Sequence, residues 1–215
     1  MRTKRILFAC LATITVLCIL ARAPAVAGDD HAGRVQLADD ALIFEFVGQV
    51  INFAPTPAAP LGTSNQFGYL TTVRGIDNVF SGTPHNETTA VLTFFNDVTT
   101  TESISNGTLR IIDRNGTTTI FLNSAPANFA NPDSFRSGVP VLTSQLHQQA
   151  IVDTVSGTFT AVFDNTISST RVFTNSGGRA FRLGHKGQAF RATVTGHLNA
   201  TPPPTGYFAG YAVSR

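Results

Sequence analysis

Residues 150–165 read AIVDTVSGTFTAVFDN, and apolar and polar residues alternate on both sides of Ser156-Gly157. Alternation with a period of two marks a β-strand buried on one face, and small turn residues between two such runs make a hairpin. Residues directly opposed in an antiparallel pair share a face. A two-residue Ser156-Gly157 turn therefore predicts the pairs Thr154–Phe159, Val152–Ala161, Ala150–Phe163, Gln148–Asn165 and Leu146–Ile167 on one mostly apolar face. His147, Gln149, Asp153 and Asp164 fall on the other face, so the two aspartates of the stretch read as surface.

The same pattern extends through the chain. Short runs rich in Val, Ile, Phe and Thr alternate with Gly, Asn, Pro and Ser, and no run keeps apolar residues at helical spacing for three turns. Strands are expected over residues 42–53, 66–73, 88–99, 108–113, 117–123, 139–155, 158–169, 180–183, 188–198 and 207–213. So many strands without crossover helices predict an all-β protein, a single antiparallel β-barrel of roughly 8–10 strands, with a β-sandwich as the alternative.

Two further hairpins are expected. Asn115-Gly116 is a favoured two-residue turn, because both central positions need positive φ; it would align Leu109 with Leu122 and Ile111 with Ile120. A loop at Gly184–Gly187 would pair Phe181 with Phe190, leaving Arg182, Arg191 and His197 opposite. The second face of several strands still carries Ile, Val or Phe. If the aromatic face lines the lumen, as expected, the lumen is a packed core or a site for an apolar ligand. If the other face does, His147, Asp153, Arg182, Arg191 and His197 form a polar pocket.

The N-terminus reads as a secretory leader: Arg2, Lys4 and Arg5 precede an apolar run from Ile6 to Ala21, then Ala25-Val26-Ala27. Cleavage after Ala27 is expected, leaving a single domain over 28–215 in a secreted or periplasmic setting. Both cysteines, Cys10 and Cys18, lie in the leader, so the domain has neither a disulfide framework nor a cysteine nucleophile. The chain carries 15 Lys and Arg against 13 Asp and Glu; losing Arg2, Lys4, Arg5 and Arg22 leaves 11 basic residues and a net charge of about −2. With Lys186 the one lysine beyond the leader, nucleic acid is not an expected partner. Stable membrane insertion is not expected either, since lipid-facing alternation with aromatic girdles is missing. Homo-oligomerisation stays open.

Chemistry-bearing residues are few. The histidines have no metal-ligand spacing, and neither a G-x-S-x-G elbow nor a phosphate loop occurs, so no metal and no cofactor is expected. Glu45, inside Leu42-Ile43-Phe44-Glu45-Phe46-Val47, is the carboxylate most enclosed by apolar sequence. Glu45 and His147 are the candidate acid–base groups, against the alternatives of a wall-facing glutamate and a surface histidine. Phe44, Phe46 and Phe163 are candidate ligand contacts, with Gln148 and Asn165 as amides that orient a ligand or satisfy one another. The long irregular segment 124–138 either closes over a barrel mouth through Phe129, Phe135 and Arg136 or is pinned to the wall by its phenylalanines.

The order Asn106-Gly107-Thr108-Leu109, a short hairpin, then Ser156-Gly157-Thr158-Phe159 resembles the dirigent and allene oxide cyclase group of calycin-type barrels over about residues 104–163. That group carries Gly-Gly-Thr-Gly before an aromatic residue where Ser-Gly-Thr-Phe stands here, so no catalytic residue is transferred. The resemblance implies a small barrel holding an apolar ligand in its lumen. The leading expectation is a barrel that binds a hydrophobic small molecule; the alternatives are a cyclase- or isomerase-type enzyme on an apolar substrate, and a structural or surface-interaction protein.

Overall fold

The expected alternation produces a closed ring of strands. The computed structural model describes residues 36–37, 41–175, 177–200 and 204–215; the expected leader, its cysteines and its cleavage point lie outside them. Among the described residues the strands are β1 (Gln36–Leu37), β2 (Ile43–Phe53), β3 (Thr63–Val73), β4 (Leu92–Asn106), β5 (Leu109–Leu122), β6 (Val139–Asp153), β7 (Thr158–Thr170), β8 (Phe173–Thr174), β9 (Ala180–Arg182), β10 (Ala189–Leu198) and β11 (Thr205–Ser214). Eight of them, β2 to β7 with β10 and β11, form an antiparallel barrel in which each strand pairs with the next, and β11 pairs with β2 to close it. The protein is all-β, a barrel and not a sandwich. β1, β9 and β8 make a separate three-stranded sheet.

The three expected hairpins fare differently. β6 and β7 do form one, but the turn spans four residues, with Gly157 N–H bonded to the Asp153 carbonyl. Val152 pairs with Phe159, Ala150 with Ala161 and Gln148 with Phe163, a shift of two residues from the expected register. An even shift leaves every side chain on its expected face.

Asn115-Gly116 is not a turn. β5 runs straight through it, with Asn115 opposite Thr99 and Gly116 opposite Val98. Glycine is needed there for close approach, since a Cβ on Gly116 would lie 2.0 Å from the Asp97 carbonyl oxygen. The turn falls at Gly107-Thr108, between the paired Asn106 and Leu109, with Gly107 at φ +62°. Nor does β9 pair with β10. β9 leaves the barrel to pair with β1 and β8, and β10 pairs with β7 and β11.

The phenylalanine face is the lumen. Phe44, Phe46, Phe94, Phe163, Phe190 and Phe208 are buried in one inward cluster, and their rings meet mostly edge-on or tilted, as in Phe46–Phe94 at 5.4 Å and Phe44–Phe190 at 5.7 Å, the arrangements aromatic quadrupoles favour. Gly48 makes room for them, because a Cβ there would come within 2.8 Å of Phe208 and 2.9 Å of Phe94.

The outward phenylalanines belong to a second core. Phe67, Phe95 and Phe121 are covered by the β5–β6 connection, whose Phe135 is fully buried among them and whose Phe129 packs alongside. The segment 124–138 is thus pinned to the wall. It carries a 3-10 turn, Pro132–Arg136, and Arg136 lies 4.4 Å over the Phe95 ring while pairing with Asp133 at 2.7 Å. The long connections leave from one end of the barrel, where Ile76, Val79, Phe173, Phe181 and Leu183 join the inward cluster and plug it. Short connections leave the other end.

Candidate functional site

At the short-loop end the lumen opens as a cavity of about 880 Å³, within the range of small-molecule sites. Its wall is mostly apolar, from Val50 on β2, Ile112 on β5, Ala150 and Val152 on β6, Phe159 on β7 and Phe208 on β11. These positions alternate with exposed or half-buried ones along their strands, so the period-two pattern that buries the core also lines the cavity.

Polar side chains sit at mid-lumen, between the cavity and the packed phenylalanines. Gln66 Nε2 donates to Gln148 Oε1 at 2.7 Å, and Asn96 Nδ2 donates to Gln66 Oε1 at 3.3 Å. Arg114, on β5 opposite Gln148, joins Gln66 and Gln148 in lining the cavity. It is 8% exposed. Its Nη2 donates to Asn52 Oδ1 at 2.9 Å, and Asn52 is held by Nδ2 donating to the Pro204 carbonyl at 3.0 Å. The buried Nε has no partner. Burial, and then the like charge of Arg110, push the guanidinium down to about 10, so at neutral pH the lumen still holds a positive charge.

Among the described residues the one carboxylate lining the cavity is Asp153, at the rim. It accepts the Val155 N–H at 2.9 Å, and that bond, with help from Ser156, holds it below the usual carboxylate range. Among the described residues no acid forms an ion pair with Arg114. Beneath the polar belt a void of about 20 Å³ is lined in part by Asn96, Thr118, Phe163 and Asn165; it has room for one water, and Asn96 Oδ1 and Thr118 Oγ1 have no protein partner.

Of the residues singled out in the sequence, Gln148 and Phe163 line the open cavity. Phe44, Phe46 and Asn165 lie deeper, around the small void. Gln148 and Asn165 do not bond each other, because the two-residue register shift separates them; Asn165 Oδ1 accepts from Ser144 Oγ at 2.8 Å instead. Phe129, Phe135 and Arg136 are on the outer wall, away from the mouth.

Glu45 is exposed rather than enclosed. It alternates outward between the inward Phe44 and Phe46, opposite Thr72 and Tyr211. His147 is likewise exposed, opposite Asn115 and Asp164. The alternative polar pocket is not assembled: Asp164 pairs on the outer wall with Arg191, through two contacts of 2.8 Å. Among the described residues no group of three or more His, Cys, Asp or Glu is placed to hold a metal ion.

A turn at Asn115-Gly116 would put the neighbouring Arg114 in a loop, which conceals its place on a strand. The β-branched run Thr117–Ile120 immediately after it was the available sign of a continuing strand. No protein-family model matches the chain, and no curated protein or solved structure matches it.

Proposed function

We propose that the protein is an exported barrel, secreted or periplasmic, that binds a hydrophobic small molecule in its lumen without transforming it. The observation that carries this reading is the open, mainly apolar cavity of about 880 Å³ at one end of an otherwise packed barrel. The resemblance to ligand-holding calycin-type barrels points the same way. A cyclase or isomerase would need a proton-handling side chain at the ligand; Glu45 and His147 are exposed on the outer wall, and the Asp153 and His197 that do line the cavity sit beside the β6–β7 turn and not among the enclosed polar side chains of the lumen.

Native mass spectrometry of protein purified from its source tests the binding role, with a retained non-covalent small molecule expected. Absence of any retained mass, together with no uptake of the uncharged fluorophore N-phenyl-1-naphthylamine, would overturn it. For export, N-terminal sequencing of the released protein is expected to begin at Gly28. An intact Met1 on that material would refute cleavage.

A further inference from the structure

We propose that the lumen recognises an acid group as well as an apolar body, so that the ligand is a single-chain apolar monocarboxylate with its carboxylate seated on Arg114 and Gln148. This rests on the lumen-binding reading and names the ligand class within it. The guanidinium is enclosed in a mainly apolar lumen, meets one neutral protein acceptor, Asn52 Oδ1, and has an unpartnered Nε. A buried charge is costly unless it is paired, and an arginine without a counter-charge favours any anion that reaches it.

The surroundings are set for that anion. Asn52 is tied to the Pro204 carbonyl, which fixes its Oδ1 toward Arg114 and restrains the guanidinium. Gln148 has its Oε1 committed to Gln66, and its Nε2 makes no hydrogen bond to protein. Gln148 lines the cavity beside Arg114, so this amide offers a second donor to an acid held there. Planar guanidinium donors match a carboxylate's two oxygens. A monoanion neutralises the enclosed charge of Arg114; Arg110, which also lines the cavity, is exposed and bonded to Ser103 Oγ. The wall from this belt to the mouth is mainly apolar, through Ile112, Ala150, Val152 and Phe159, with Arg110, Asp153 and His197 also on the lining, which fits a tail.

The experiment is displacement of N-phenyl-1-naphthylamine from delipidated protein at pH 8 by dodecanoate, dodecanol and dodecyltrimethylammonium, which share a tail and differ in head charge. Dodecanoate is expected to bind about 10- to 100-fold more tightly than dodecanol, the gain for a charge-assisted hydrogen bond formed away from water, and the cation most weakly. In Arg114→Met the acid's advantage should vanish while dodecanol binding stays within about 3-fold, which also reports that the variant is folded. Gln148→Leu should reduce the acid's advantage in part. Equal affinity of acid and alcohol for the wild type would overturn the acid seat and leave the apolar-binding reading standing. Failure of the wild type to take up the fluorophore or any of the three amphiphiles would overturn both.

Discussion

Replacing Arg114 with Met keeps an unbranched side chain in the lumen and deletes the charge, and the ligand-free barrel should become more stable as a result. Burial and Arg110 lower the guanidinium from its ordinary value to about 10, a gap equivalent to about 3 kcal/mol against the charged form. A base lowered in the folded state is charged in both states at pH 7, so the penalty weighs fully on the fold there; it is relieved as pH climbs past about 10 toward the ordinary arginine value. Two terms offset the gain. The variant loses the bond to Asn52, worth about 1 kcal/mol, and the open cavity screens part of the penalty. The net expectation is a gain of about 1–2 kcal/mol, hence a Tm higher by about 2–8 °C for a domain of this size. Guanidinium melts of delipidated wild type and variant at pH 7, compared at matched m-values, measure it. Ligand removal matters because a bound ligand stabilises the wild type by mass action. A loss exceeding about 1 kcal/mol would refute the reasoning, since it would mean that the protein already matches the charge.

Phe163→Ala should cost about 3 kcal/mol, the low end for phenylalanine because one side of the ring borders the open cavity, while Asp164→Ala on the wall should cost under about 1 kcal/mol; similar losses in denaturant melts would place the two residues wrongly. Asn115→Thr should be neutral or slightly stabilising, about 0–0.5 kcal/mol, because an exposed strand position favours a β-branched residue. A clear loss in the same melts would restore the turn. The lowered Asp153 carboxyl adds stability that is in place above the ordinary carboxylate range and fades as pH falls through its lowered value, so Asp153→Asn should narrow the difference between melts at pH 7 and pH 3. An unchanged difference would show that its bond to Val155 N–H contributes nothing.

Side-chain facing was the most legible property of the sequence, because a period of two survives errors that a register does not. The expected β6–β7 turn is two residues too short, yet Phe159, Phe163 and Asp164 lie on their expected faces. What failed was the choice between two Asn-Gly pairs. Asn106-Gly107 and Asn115-Gly116 carry the same local signal, and the difference lies in tertiary context: Gly116 is pressed against the Asp97 carbonyl, while a Cβ on Gly107 would meet nothing. That choice split β5 into two strands and left Arg114 in the gap between them. Glu45 failed for another reason. Flanking phenylalanines in a strand show that the residue between them points the opposite way, so apolar neighbours in sequence are evidence against burial. The segment 124–138 was legible as a unit, but its seat was set by Phe67 and Phe95, outward residues whose cover no local pattern reveals.

The seam between β2 and β11 has a consequence for the order in which the protein assembles. Seven junctions of the ring join strands that follow one another around the barrel, but this one sets Phe44 against Ala212, at opposite ends of the domain. Chain entropy opposes such a contact until the intervening strands are in place, so the meander is expected to grow as an open, curling sheet and the seam to zip last. Until then both terminal strands present unpaired backbone groups, which are templates for another chain. Loss of β11 would therefore leave a sheet with two raw edges and an uncovered aromatic face, and the expected fate of that truncated chain is association with its own kind.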